Sequence, residues 1–494
     1  MKPVTSQDAR RVAFVSTRVS GTDGVSLEIE KWARVIERMG HQCFYITGQS
    51  DRPPEQTVII EEAHFNHPRI LDISRRAFGR ELRPPELTDE IMDLTRVIRD
   101  KLATAIKDLK IDVLIAENAL TIPMNIPLGV ALVHEVQEQG IGCIAHHHDF
   151  YWERDRFLVN CVDDFIHLAF PPALKQIQHV VINSQAGEEF SRRTGMSYRL
   201  IPNVMDFANP PPGPDDYARG FRKEVGLSDD DMVILQPTRV VARKGIEHSI
   251  ELVARLKDDR AKLVITHKSG DEGDAYASRI RDFARLMGVD LMFVDAWISD
   301  ERGTGTDGRK LFTVDDVYTQ ADLVTYPSTY EGFGNAFLEA IYFRRPIVCN
   351  RYSIYRTDIE PCGLRPILFD GFLTRETIEE VRRVLTDPAY RDEQVEHNYE
   401  VAGRFFGYQV VRDELEMLMH REAKKLLEEP YAVVLHVRIC GSNHPGPPGL
   451  IRPQPCIGGV SGGDSDRLCT LAVPLVQWLL TGENVRHPFH RDGL

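Results

Sequence analysis

The sequence predicts an α/β protein built from two Rossmann-like, doubly wound domains that face each other across a cleft. A strand, a glycine-containing loop, a helix and a second strand follow one another within the first 47 residues, and this order is typical of a parallel sheet. The same alternation restarts after a proline-rich segment at 210–214. With 494 residues, 42% of them hydrophobic, the chain is long enough for two or three domains with substantial cores.

The first domain is assigned to residues 1–208. A β-rich run at 12–16 precedes a loop with Gly21 and Gly24, and an amphipathic helix is predicted at 25–39 because its apolar residues recur at helical spacing. The next strand is predicted at 42–47. Further strands are expected at 113–116, 142–146 and 180–183, and helices at 88–108 and 126–139.

The second domain is assigned to residues 209–397. Four prolines in the five residues 210–214 form a stiff, extended connector, which is a suitable domain boundary. Strands are predicted at 232–236, 262–266, 291–294, 323–326 and 346–349, and helices at 245–256, 274–287, 313–319 and 334–342. A further helix is predicted at 398–429, and residues 430–494 are expected to be a poorly ordered tail, since 441–466 contains seven glycines and five prolines.

Charge and cysteine usage limit the function classes. Lys and Arg total 60 against 74 Asp and Glu, a net charge of −14, which argues against nucleic acid as the main partner. No apolar run has the length of a signal peptide or a membrane span, and the eight cysteines form no Cys-x-x-Cys pair. These features predict a cytoplasmic protein without a transmembrane segment.

The stretch 327–340 suggests a site for a ligand that carries both phosphate and sugar. Glu331 ends a loop after a strand, Gly334 opens a helix, and Glu339 follows eight residues after Glu331. A glycine-flanked helix start offers free N–H groups to a phosphate, whereas a neighbouring carboxylate is suited to accept hydrogen bonds from hydroxyls. The alternative interpretation is a capped helix with surface glutamates.

The loop 237–251 supplies cations for the same ligand. Arg239 lies just past a predicted strand, and Lys244 precedes Gly245 and the next helix. Two fixed cations at the carboxyl end of a strand suit a diphosphate, which arginine can bind through a bidentate fork. A solvated basic loop is the alternative, but the sheet topology brings this loop towards Glu331.

These motifs resemble those of the family-4 retaining glycosyltransferases of the GT-B fold. The resemblance covers roughly residues 11–427 and is carried by 238-TRVVARKG-245, 327-PSTYEGFGNAFLEA-340, 201-IPNVMDF-207 and 321-ADLVTYPS-328. It implies that the C-terminal helix crosses back to the first domain. It also implies that Arg239 and Lys244 bind the nucleotide-sugar diphosphate, that Glu331 contacts the hexose and that Glu339 contacts the ribose. It further implies that the backbone of Gly334, Asn335 and Ala336 meets the phosphate and the sugar.

The first domain is then expected to supply the acceptor side. Gly21 and Gly24 correspond to the family's glycine loop near the diphosphate or the acceptor, with a plain tight turn as the alternative. The family's histidine beside the reactive sugar corresponds best to His148, with His146 and His147 as alternative registers. Successive strand residues alternate between faces, so at most two of the three histidines converge. No third ligand is expected nearby, and no metal site is predicted.

The residues after the histidines are candidates for acceptor binding. Asp149, Tyr151, Trp152 and Arg154 offer an aromatic platform and charges for a sugar or a carboxylated acceptor, and an exposed amphipathic loop is the alternative. Five arginines form a basic segment that is interpreted as a solvated charged helix, with docking on an anionic membrane as the alternative. They are Arg69, Arg75, Arg76, Arg80 and Arg83.

The resemblance implies a retaining hexosyltransferase that needs no cofactor or metal. Its donor would be a nucleotide-diphosphate hexose, GDP-mannose or UDP-glucose, and its acceptor a small polar or sugar molecule. The stretch 146–154 is similar to bacterial members that build solutes such as mannosylglucosylglycerate; polysaccharide and lipid-linked sugar acceptors remain alternatives. A nucleotide-sugar 2-epimerase and a non-catalytic nucleotide-sugar-binding protein are the rival functions. The segments 267–274 and 350–361 depart from the family's glycine-rich turns.

Overall fold

A computed structural model describes residues 9–21, 23–268 and 275–419. These residues contain two parallel sheets, so the predicted fold class is confirmed. The first sheet has seven strands in the order β3-β2-β1-β4-β5-β6-β7. Its strands are β1 (Arg11–Ser16), β2 (Gln42–Thr47), β3 (Thr57–Ile59), β4 (Val113–Glu117), β5 (Gly142–His147), β6 (Ile177–Val181) and β7 (Arg199–Leu200).

Helices connect most of the parallel strands of the first sheet, because parallel strands need crossover connections. The helix after β1 buries the indole of Trp32 against the sheet, and α4 is buried along most of its length between neighbouring elements. The helices are α1 (Gly24–Arg38), α2 (Pro68–Ala77), α3 (Leu87–Asp108), α4 (Ile126–Gln139), α5 (Asp155–Leu158), α6 (Asp163–Ala169) and α7 (Ser184–Thr194).

The second sheet has six parallel strands in the order β10-β9-β8-β13-β14-β15. Its strands are β8 (Met232–Gln236), β9 (Ala261–Ile265), β10 (Leu291–Phe293), β13 (Leu323–Tyr326), β14 (Ile347–Asn350) and β15 (Ile367–Phe369), while β11 (Gly303–Thr304) and β12 (Lys310–Leu311) form a separate antiparallel pair. The helices are α8 (Asp216–Val225), α9 (Ile246–Leu256), α10 (Ala275–Met287), α11 (Val314–Gln320), α12 (Asn335–Tyr342), α13 (Arg375–Thr386), α14 (Pro388–Phe405) and α15 (Tyr408–Met419).

Most predicted elements agree with the structure to within one or two residues, and the strands at 232–236 and 323–326 match it at both ends. The strand predicted at 180–183 instead ends at Val181. Its last predicted residue, Asn183, caps α7, because its side-chain oxygen accepts a hydrogen bond from the Ala186 N–H at 2.7 Å.

The prediction of a single helix at 398–429 is wrong, because two helices occupy the described part of this range. The helix α14 ends at Phe405 and α15 begins at Tyr408, with Gly407 between them. A Cβ at Gly407 would lie 2.4 Å from the carbonyl oxygen of Gly403, so only glycine fits the break. Residues 420–429 and the predicted tail at 430–494 lie outside the described residues, and the domain boundaries 208/209 and 397/398 stay predictions.

After the break, α15 packs on the first sheet although α14 belongs to the second half. Its apolar face lies in the same buried cluster as Trp32 and residues of β1, β2 and β4. The α15 residues in this cluster are Val411, Leu415, Leu418 and Met419.

The carboxyl ends of the two sheets meet through polar contacts. Asn183 donates to the carbonyl of Gly332 at 2.7 Å, and Asn203 donates to the side chain of Asn335 at 2.6 Å. Parallel sheets place their ligand sites at this edge. The loops that follow β1, β4, β5, β8 and β13 therefore define the region where a functional site is expected.

Two buried histidines lie beneath this edge in the first sheet. His147 Nε2 is 2.9 Å from His179 Nδ1, and His179 Nε2 donates to the carbonyl of Pro172 at 3.1 Å. Burial lowers the pKa of His179 to about 4, and burial together with His179 lowers the pKa of His147 well below its ordinary value. Both imidazoles are therefore neutral at pH 7.

This pair makes the fold sensitive to acid. Below pH 6.5 the unfolded chain binds a proton at His179 that the folded state does not take up until about pH 4. The free energy of unfolding should therefore fall by about 1.4 kcal/mol per pH unit for this one group between those values. Urea unfolding at pH 7, 6 and 5 should show a weaker pH dependence in His179→Gln. A variant of the exposed His167, His167→Gln, should behave as the wild type; equal slopes in all three proteins would contradict the assignment.

Candidate active site

Glu331 is a buried carboxylate held by two cations of the neighbouring loop. It follows β13, is 7% exposed, and accepts hydrogen bonds from Lys244 Nζ and, at 3.0 Å, from Arg243 Nη1. Burial opposes its ionisation, but Lys244 and Arg243 outweigh burial and lower the pKa of Glu331. Burial lowers the pKa of Lys244, which is 8% exposed. The loop and the carboxylate predicted to approach each other are therefore in direct contact.

Arg243 is a site residue that the sequence reasoning missed. It immediately precedes Lys244, and its guanidinium also donates to the carbonyl of Tyr330 at 3.1 Å. The Arg-Lys pair in the sequence was the available signal. Only the fold shows that both side chains turn towards Glu331.

Arg239 lies beside this pair and is exposed. Among the described residues its guanidinium has no hydrogen-bond or ion-pair partner, so this group is available to a ligand. Its charge and that of Lys244 reinforce the effect of burial on His267, whose pKa is lowered to about 4. Arg239, Arg243 and Lys244 therefore concentrate positive charge at the carboxyl end of β8.

The start of α12 requires glycine. Gly334 has φ +130°, and a Cβ there would lie 2.5 Å from the Tyr352 hydroxyl, which donates to the carbonyl of Phe333 at 2.6 Å. The next residue, Asn335, begins the helix and faces Gly24, where an added Cβ would lie 3.6 Å from its Nδ2. The glycine loop of the first sheet therefore lies opposite the helix start of the second.

Farther along α12, Ala336 and Glu339 face Tyr318. The Tyr318 hydroxyl donates to Glu339 at 2.9 Å and to the carbonyl of Ala336 at 3.3 Å. Burial raises the pKa of Glu339, and Lys31 of α1 works in the opposite direction. Glu339 is thus separate from the Glu331 pair and is directed towards α1, where Lys31 pairs with the buried Glu28 at 2.7 Å.

Glu117 binds two of the three consecutive histidines. Its Oε2 is 3.0 Å from both His146 Nδ1 and His148 Nε2, whereas His147 turns away to His179. The prediction that no third ligand lies near these histidines is therefore wrong. Their ligand atoms lie within 4.8 Å of one another, and the separations of 3.0–3.1 Å are those of hydrogen bonds, so we interpret the cluster as a hydrogen-bonded triad.

The predicted acceptor residues are partly engaged within the protein. Asp149 forms an ion pair with Arg154 and accepts a hydrogen bond from Asn118 at 3.1 Å. The ring of Trp152 stacks on Phe150 with centroids 4.4 Å apart, and the ring of Tyr151 meets Trp152 edge-on at 5.1 Å. Trp152 is therefore anchored in a small apolar cluster, whereas Tyr151 packs against the large core cluster of the first sheet.

The basic segment is largely neutralised. Arg75 and Arg76 pair with Asp72 at 3.1 and 2.7 Å, and Arg83 pairs with Asp164. These pairs favour a solvated charged segment over a membrane patch. The prediction of one charged helix holds only in part, because α2 ends at Ala77 and Arg80 and Arg83 follow it.

A methyl group at Gly334 should disrupt the helix start. We expect Gly334→Ala to lower the free energy of unfolding by about 1–3 kcal/mol, because alanine is strained at positive φ and its Cβ would displace the Tyr352 hydroxyl. The matched control is Gly332→Ala, whose Cβ would meet its nearest atom, the His148 carbonyl oxygen, at 3.5 Å. Chemical unfolding should separate the two variants; equal stability would refute the steric argument.

Two doubly wound sheets whose carboxyl ends face each other, with a cation loop and a glycine helix start between them, define the class of GT-B glycosyltransferases. Solved structures share this fold. A glycosyltransferase from Rickettsia africae matches with a TM-score of 0.59 at 12% identity, over 85% of this chain and 99% of that one. A sucrose-phosphate synthase from Thermosynechococcus elongatus matches with a TM-score of 0.56 at 14% identity, over 85% and 99%.

Residues 308–401 match the family described as Glycosyl transferases group 1. The mannosylglucosylglycerate synthase of Thermotoga maritima is 31% identical over 436 residues, covering 82% of this chain and 98% of the relative. The corresponding enzyme of Petrotoga mobilis is 32% identical over 383 residues, covering 72% and 86%. The chain belongs to this glycosyltransferase family.

The family membership confirms the predicted enzyme class, a hexosyltransferase that takes its sugar from a nucleotide-sugar donor and transfers it to a small-molecule acceptor. The rival epimerase and binding-protein functions find no support among these relatives. Within the part of the chain that the structure describes, no helix has the length and apolarity needed to cross a membrane.

Proposed function

We propose that this enzyme transfers a hexose, with retention of its anomeric configuration, from a nucleotide-diphosphate sugar to a carboxylated acceptor of the glucosylglycerate type. The observation that carries the proposal is the Glu331–Lys244 pair near the start of α12, beside Arg239, whose guanidinium has no ion-pair partner in the part of the chain that the structure describes. The names of the two relatives favour mannose as the sugar and hence GDP-mannose as the donor, with UDP-glucose as the alternative.

In this proposal the cations hold the diphosphate. Arg239 and Lys244 neutralise the two negative charges of the diphosphate. The N–H groups at Gly334, Asn335 and Ala336 add the positive end of the α12 dipole. Glu331 accepts hydrogen bonds from the hexose hydroxyls, and Glu339 accepts those of the ribose. Gly24 leaves room for the donor opposite Asn335, because it projects no side chain.

The reaction depends on stabilising the leaving group. The bond between the anomeric carbon and the diphosphate oxygen breaks, the acceptor hydroxyl oxygen bonds to the same face of that carbon, and the departing phosphate oxygen takes the hydroxyl proton. The charge that develops on the diphosphate is met by Lys244, which Glu331 already holds in place, and by the exposed Arg239. Because these two cations supply the stabilisation, we propose that transfer needs no metal ion.

The acceptor binds on the side of the cleft that the first sheet forms. His148 lies at the carboxyl end of β5 and faces the loop that carries Glu331, since a Cβ at Gly332 would lie 3.5 Å from its carbonyl oxygen. Asp149 and Arg154 offer polar contacts to the acceptor, with Tyr151 and Trp152 as the adjoining apolar surface. We also propose a cytoplasmic location, which suits the free thiols of Cys43, Cys143 and Cys349.

A direct transfer assay tests the proposal. GDP-mannose and UDP-glucose are each incubated with glucosylglycerate, with its phosphorylated form and with no acceptor, and NMR identifies the product and its anomeric configuration. We expect an α-linked product from one donor, unchanged turnover after exhaustive treatment with EDTA, and no isomerised sugar without acceptor. An inverted linkage, or activity that returns only with a divalent cation, would refute the corresponding part of the proposal.

Arg239 provides the sharper test of the donor site, because it is exposed and holds no described partner. We expect Arg239→Ala to lower kcat/KM about 10²- to 10³-fold through lost stabilisation of the leaving diphosphate, with no change in melting temperature. The control Arg281→Ala removes an arginine that lies over Phe293, outside the site. Similar kinetics for the two variants would remove Arg239 from the mechanism.

A further inference from the structure

We infer that Glu117 is a positioning residue of this enzyme, whose buried carboxylate fixes the ring orientation of His148 and thereby the ring nitrogen that His148 presents to a ligand. The inference rests on the proposed function only in that His148 is taken to lie beside the reacting sugar. Neither the sequence motifs nor the relatives assign a role to Glu117.

The register of the sheet brings these residues together. Glu117 ends β4 and is paired with His146 of β5, so their side chains project from the same face. His148 follows two residues later, and its ring returns to the same carboxylate. Glu117 is 1% exposed, and its backbone carbonyl accepts a hydrogen bond from Ser16 Oγ at 3.2 Å. The carboxylate therefore has a fixed place between the two imidazoles.

The hydrogen bonds determine the tautomers. The two imidazoles outweigh the effect of burial and lower the pKa of Glu117 to about 2, so the carboxylate is ionised and can only accept. His146 then donates from Nδ1 and His148 from Nε2. The other ring nitrogen of His148, Nδ1, has no hydrogen-bond partner among the described residues and is the atom left for a ligand.

Two further contacts restrain His148. Its backbone N–H donates to Asn118 Oδ1 at 2.9 Å, and Asn118 itself is held in the left-handed region with φ +54°. The ring of His146 packs between Trp32, at a centroid distance of 4.2 Å, and His148, at 4.4 Å. His148 therefore cannot rotate freely while the triad is intact.

The charges that face His148 come from three elements. Burial opposes its charged form, but the hydrogen bond and the charge of Glu117, together with Glu28 of α1 and the adjacent Asp149, raise the pKa of His148. The neighbouring imidazoles of His146 and His147 stay neutral, because burial lowers the pKa of each. Glu117 and His148 thus form a buried pair that the rest of the cluster supports.

The first test measures His148 without any turnover. Histidine NMR titrations compare the wild type with Glu117→Gln and with Glu135→Gln, which alters another buried glutamate on α4, outside the site. We expect the pKa of His148 to fall to its ordinary value or below in Glu117→Gln and to stay unchanged in Glu135→Gln. An unchanged pKa of His148 in Glu117→Gln would overturn the inference, whatever the reaction proves to be.

The second test uses transfer kinetics. Glu117→Gln should lower kcat about 10- to 100-fold with little change in the KM of the donor, because the ring is misplaced rather than lost. The double variant Glu117→Gln/His148→Ala should be no slower than His148→Ala alone, since Glu117 acts through His148. Additive losses would overturn the inference. Full activity of His148→Ala would instead refute the proposal that His148 lies beside the reacting sugar. The NMR titration would then still test whether Glu117 orients His148.

A second variant covers the case in which Glu117→Gln does not fold. Glu117→Asp keeps the charge but withdraws the carboxylate by one methylene, which stretches the hydrogen bond to His148 Nε2 beyond its present 3.0 Å. We expect the pKa of His148 to fall below its wild-type value, and kcat to fall between the values of the wild type and of His148→Ala. Wild-type values of both would overturn the inference.

Discussion

The cleft of this enzyme depends on the cost of burying charge. A carboxylate removed from water is destabilising unless a partner of opposite sign or a hydrogen-bond donor stays with it. Glu331 has Lys244 and Arg243, Glu117 has two imidazoles, and Glu339 has the Tyr318 hydroxyl. Each pair joins two elements at the edge where the sheets meet. The arrangement that makes the site polar is therefore the same one that fixes its loops in place.

In the proposed donor site, only some of the cations have an anionic partner in the described part of the chain. Glu331 and Lys244 satisfy each other in the absence of a ligand, whereas Arg239 keeps its charge unpaired among the described residues. A diphosphate would add the anion that this loop lacks without leaving Glu331 alone, because Arg243 remains bound to it at 3.0 Å. The loop can therefore accept and release a doubly charged group without an unpaired carboxylate in its interior.

Local signals in the sequence were enough to predict the fold, but they predicted the candidate site only in part. Strand and helix periods and the proline segment were sufficient to predict two doubly wound sheets, and the Gly334 motif indicated a helix start that tolerates no side chain. The contact between Glu117 and His148 joins residues 31 positions apart and depends on strand register, which no motif records. The break at Gly407 depends on a close approach to Gly403, and the exposed two-residue strand β7 shows no alternation to detect.

The chain passes between the two halves twice, once near Met205 and again near Phe406. These two passages run side by side, since the Met205 N–H donates to the Phe406 carbonyl at 2.9 Å and Met205 forms a parallel bridge with Gly407. Any opening of the cleft would bend both of these adjacent segments together. Because they are hydrogen-bonded to each other, bending about a shared line would be easier than a twist of one half against the other. Opening for a new substrate would therefore keep Gly24 aligned with Asn335 along that line.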